Sequence, residues 1–60
     1  MDNYEARTEE LAKELSLKLA DKLEKGEITM EKMTQSLGDF FNFLTNKKPA
    51  EEIKQFIDAI

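Results

Sequence analysis

The chain contains no cysteine, no histidine and no tryptophan, and only one proline and two glycines in 60 residues. Each absence excludes something. Without cysteine there is no disulfide to staple a domain that buries only about 60% of the surface its unfolded form exposes. Without cysteine or histidine the common zinc ligand sets cannot be assembled, so no metal is expected. The same gap removes the usual base or nucleophile from Ser–His and Cys–His catalytic arrangements. No apolar run approaches the roughly 18 residues needed to cross a bilayer. The opening Met1-Asp2-Asn3-Tyr4-Glu5 lacks the basic and apolar regions of a signal peptide, so a soluble protein of cytoplasmic type is expected.

Positive charge is also in short supply. Nine basic residues face thirteen acidic ones, for a net charge of −4. Nucleic acids and anionic membranes need clustered Lys and Arg, so neither is expected as a partner. The chain is nonetheless 40% hydrophobic, which is not a disordered composition.

What is present reads as helix. The punctuation falls at Lys25-Gly26-Glu27-Ile28-Thr29. Gly26 suits the left-handed residue that closes a helix, and Thr29 suits the N-cap of the next. Ile28 before that cap and Met33 four residues after it are placed as a hydrophobic staple. The five residues describe the corner of a helical hairpin.

The first helix is expected from Asn3 or Tyr4 to Lys25, with Asp2 and Glu5 as a capping box. Tyr4, Leu11, Ala12, Leu15, Leu19 and Leu23 form one stripe at the helical period. Glu9–Lys13, Glu14–Lys18 and Asp21–Lys25 lie outside it as acid-before-base pairs four residues apart. The second helix is expected from Met30 to Thr45 or Asn46, with Met30, Met33, Leu37, Phe40, Phe41 and Leu44 on one face. Gly38 sits inside it at a cost of about 1 kcal/mol relative to Ala. Pro49 suits the first position of a third helix to Ile60, with Glu51 and Glu52 in its first turn and Ala50, Ile53, Phe56, Ile57 and Ile60 on its apolar face. The fold class is therefore all-α: a single small domain, an antiparallel helical hairpin plus a short third helix.

Three chemical readings of these helices fail on their own residues. Counted from Asp21, the corner shares Gly26 and Ile28 with a calcium-binding EF-hand loop. Its ligand positions, however, hold Leu23, Lys25 and Lys32, which cannot bind calcium. A DNA-binding helix-turn-helix would use the second helix for recognition, and that helix offers Lys32 against Glu31 and Asp39. As for catalysis, Glu9, Glu10, Glu14, Glu51 and Glu52 lie on polar faces with nothing to desolvate them. Ser16 and Ser36 have no partner base. No enzymatic activity and no cofactor are expected.

The aromatic residues carry the remaining weight. Phe40, Phe41 and Phe56 are expected in the core, with Met30 and Met33 filling gaps. Phe43 lies on the flank of its stripe, either covered by the third helix or facing another chain. Leu17 lies on the polar side of the first helix, between Lys13, Asp21 and Glu24. The expected function is a non-enzymatic protein–protein interaction module, a self-associating (homodimeric) small helical regulator or adaptor. Its partner is another protein or itself, through Leu17, Phe40, Phe43, Phe56 and Ile60. The alternative is an acidic inhibitor or nucleic-acid mimic that occupies a basic site on a partner. A third possibility is a spacer within a larger assembly.

Overall fold

A computed structural model describes residues 3–60. It is a small three-helix bundle with α1 at Asn3–Glu24, α2 at Met30–Thr45 and α3 at Ala50–Asp58. The body measures 39 × 17 × 15 Å, its long axis set by α1. Asp2, half of the expected capping box, lies outside the described residues. The first two helices match the expected spans to within a residue. α3 begins one residue later than expected, because Pro49 is its N-cap, its carbonyl accepting from the amides of Glu52 and Ile53. It ends at Asp58, two residues short of the expected Ile60, with Ala59 as its C-cap.

Local chemistry explains both corners. Gly26 takes φ +72°. The Gly26 amide donates to the Leu23 carbonyl and the Glu27 amide to that of Lys22, a Schellman closure that satisfies two carbonyls at the end of α1. Thr29 then accepts from the Lys32 amide at 3.1 Å and starts α2. Ile28 and Met33, the two residues of the expected staple, both pack against the core. The second corner uses the same hydrogen bonds without glycine: the Lys47 amide reaches the Leu44 carbonyl and the Lys48 amide that of Phe43. Here the left-handed residue is Lys47, at φ 55°.

The core consists of Leu11, Leu15 and Leu19 from α1, Phe40 from α2, and Ala50, Ile53 and Ile57 from α3. α1 is the central element and packs against both other helices, more extensively against α3 than α2. Thr8 and Ser36 are buried with them. Thr8 tolerates this because its hydroxyl donates to the Glu5 carbonyl one turn back. The N-terminal turn of α1, which outreaches α2, is tied to the second corner. The Tyr4 hydroxyl donates to the Lys48 carbonyl at 2.8 Å, and the Lys47 ammonium stands 5.9 Å from the Tyr4 ring centroid.

Two expected core residues are not in the core. Phe41 is 63% exposed and Met30 60% exposed. The reason is geometric. Adjacent helical residues point roughly 100° apart, and with Phe40 turned fully inward Phe41 falls, with Met30, on the side of α2 away from α3. Phe40 takes the inner position at 3% exposure.

Charge pairing also departs from the expected pattern. Asp21 and Lys25 pair within α1 at 3.1 Å. Glu14 and Lys18 do not pair with each other, because each binds α3 instead. Glu14 accepts from Lys54 at 2.6 Å, and the Lys18 ammonium donates to the Ile57 carbonyl at 2.8 Å. Among the described residues no ion pair joins Glu9 to Lys13.

Candidate functional surface

α3 covers only one side of the α1–α2 hairpin. From α1, Glu14 and Lys18 bind it. From α2, Phe43 meets Phe56 edge-on with ring centroids 5.0 Å apart. Further along α2, Lys32, Ser36 and Asp39 line a cleft with Ile28, Phe56 and Ile60. The spacing of Lys32, Ser36, Asp39 and Phe43 is that of one helix face, and that face belongs to α3.

The other side of α2 has no cover. Met30, Thr34, Gly38, Phe41 and Thr45 follow each other at helical spacing and are all exposed. Leu37 and Leu44 stand half-buried between this row and the core. The row contains no charged side chain, in a chain that is 37% charged overall. From Thr34 to Asn46 the only charge is Asp39, which faces the cleft on the α3 side. On the neighbouring flank of α1, Ala12, Ser16 and Leu17 line a shallow, largely apolar depression edged by Glu9 and Lys13.

Gly38 is the anomaly in this row. Its backbone is helical, so no dihedral requires glycine there. A Cβ built at Gly38 would meet nothing within 4 Å, so no neighbour within the chain requires it either.

The five residues expected at an interface do not form one surface. Phe40 is interior, Phe43 and Phe56 pack on each other, and Ile60 lines the cleft. Of the two readings for Phe43, coverage by α3 is the one observed. Leu17 is 73% exposed, alone on the outward side of α1. The residues missed were Phe41 and Met30. Helical spacing alone does not single them out, since adjacent residues such as Phe56 and Ile57 both pack into the core.

Among the described residues there is no group of three or more acidic side chains able to hold a metal ion. No helix is long and apolar enough to cross a membrane. The resolved shifts in acidity are on lysines. Lys54 is held above its ordinary 10.5 by hydrogen bonds to Glu14 and Asp58, and Lys25 above the same value by its hydrogen bond to Asp21. Both are ion-pair effects on exposed side chains. No family model, curated protein or solved structure matches the chain.

Proposed function

We propose that this protein is a non-enzymatic protein–protein interaction module that self-associates through the uncovered face of α2. One observation carries the reading: Phe41 and Met30, two of the largest apolar side chains available, stand 63% and 60% exposed on one uncharged helix face. Scattered exposed apolar residues are ordinary, but these two share one face with the half-buried Leu37 and Leu44 and are rimmed by polar residues, the pattern of an interaction surface. A 60-residue chain without cysteine also gains the stability it lacks by burying that row against another chain. The acidic-mimic alternative is less well supported. Glu14 is engaged by Lys54, and Lys13 interrupts the exposed carboxylates of α1.

Sedimentation at micromolar concentrations tests self-association directly, with Phe41→Asp beside wild type. Wild type is expected above the 7.0 kDa monomer mass and the variant at it. A wild-type chain that remains monomeric throughout would falsify the proposal.

A further inference from the structure

Resting on that reading, we infer that two copies meet along α2 in an antiparallel, two-fold seam with Gly38 at the closest approach. Three observations converge on this arrangement.

The first is Gly38. Glycine inside a helix costs about 1 kcal/mol relative to alanine. Neither its backbone dihedrals nor any neighbour within the chain requires it. A glycine on an outward helix face lets a second backbone come close, and this one lies in the row with Phe41 and Met30.

The second is self-complementarity. A two-fold interface places the same patch on both sides, so large side chains must find small ones in a single register. Placing Leu37 of one copy opposite Gly38 of the other puts Phe41 over Thr34 and Met30 over Thr45. Every large residue of the row then faces a small one, twice over by symmetry. A parallel two-fold seam puts Phe41 against Phe41 and Gly38 against Gly38, leaving a clash beside a gap.

The third is charge and size. Each copy carries −4, so the seam has to bring two acidic chains together without opposing carboxylates. The row is uncharged. The antiparallel register brings the acidic start of one α2, at Glu31, toward the basic Lys47-Lys48 that follows the other. The row runs the length of α2, 16 residues or about 24 Å, so the seam lies at the small end of specific interfaces, which bury roughly 800 Å² per partner.

The absence of native cysteine makes the register directly readable by disulfide trapping. Gly38→Cys sits next to the two-fold axis, so at concentrations high enough to offset the weakening that its side chain causes, its thiols meet and mild oxidation yields a covalent dimer. Thr45→Cys lies about 20 Å from its symmetry mate along the antiparallel seam and stays unlinked. Both variants are checked for helix content by circular dichroism. Gly38→Leu, which fills the close approach, raises the dimer dissociation constant at least about tenfold. A dimer in which Thr45→Cys crosslinks as readily as Gly38→Cys, or in which Gly38→Leu leaves dissociation unchanged, overturns this seam while leaving self-association standing. A wild-type chain monomeric by sedimentation overturns the self-association on which the seam rests.

Discussion

Phe43 meets Phe56 edge-on at 5.0 Å, a ring contact that joins α2 to α3 outside the core. Both rings are half-buried, and α3 otherwise leans on α1. Truncating Phe56 to Ala is therefore expected to cost about 2 kcal/mol, below the full core value because the ring is partly wet. Phe41→Ala, which loses an edge contact with the Phe40 ring at 6.2 Å, is expected to cost less, at most about 1 kcal/mol in the dilute chain. Thermal melts at low concentration separate the two. A Phe41 variant that melts as early as the Phe56 variant would show that Phe41 packs within its own chain.

The interior of α1 is less forgiving. Leu19 is 1% exposed, so Leu19→Ala should cost roughly 3 kcal/mol, a large share of what a domain this small possesses. Leu37 is half-buried, so Leu37→Ala should cost less than Leu19→Ala. Urea titration of both variants measures this order, and a reversed order would mean that α2 presents Leu37, not Phe40, to the core.

These contrasts show what the sequence could and could not convey. The Leu11, Leu15 and Leu19 stripe, the Gly26–Thr29 corner and the helix spans follow from period and capping, which are local rules. The position of α3 is not local. Whether Glu14 pairs with Lys18 one turn away or with Lys54 across the bundle depends on which side α3 covers, and helical spacing is silent on that. The same choice decides that Phe43 is covered and Phe41 is not. The place of the second corner was legible, but its left-handed closure was not, for a different reason. Lys47 occupies a left-handed position that composition assigns to glycine or asparagine.

That position is improvable. A non-glycine residue at φ 55° carries strain that glycine does not. Lys47→Gly is expected to gain about 1 kcal/mol from relief of that strain, reduced somewhat by the loss of the ammonium over the Tyr4 ring. For 60 residues each 1 kcal/mol moves the melting temperature by roughly 4–8 °C. A lower melting temperature in the variant would mean that the contact with Tyr4 outweighs the backbone term.

The Lys54 clamp between α1 and α3 gives a dependence on alkali. Lys54 titrates above its ordinary 10.5 because Glu14 and Asp58 hold its charged form. A group whose folded value is raised stabilises the fold fully below the unfolded value and loses that contribution as pH rises through the folded one. Its share of stability is thus constant near neutrality and falls away above 10.5. Denaturation midpoints of wild type and Lys54→Met should converge as pH is raised from about 9 to about 11. A gap that stays constant over that span would mean that Lys54 acts through its aliphatic stem alone.

Gly38 supplies the sharpest test because two effects of one substitution have opposite sign. In the isolated chain, Gly38→Ala removes backbone freedom from the unfolded state and adds a methyl group that touches nothing within 4 Å. It should therefore stabilise the monomer by about 1 kcal/mol. In the antiparallel seam the same methyl group enters the closest approach between two α2 helices and should weaken association. Melting at low concentration reads the first effect, and sedimentation at high concentration reads the second. A variant that melts later and also associates more weakly means that this glycine serves a second chain. One that melts later and associates as wild type does places the contact elsewhere on the molecule.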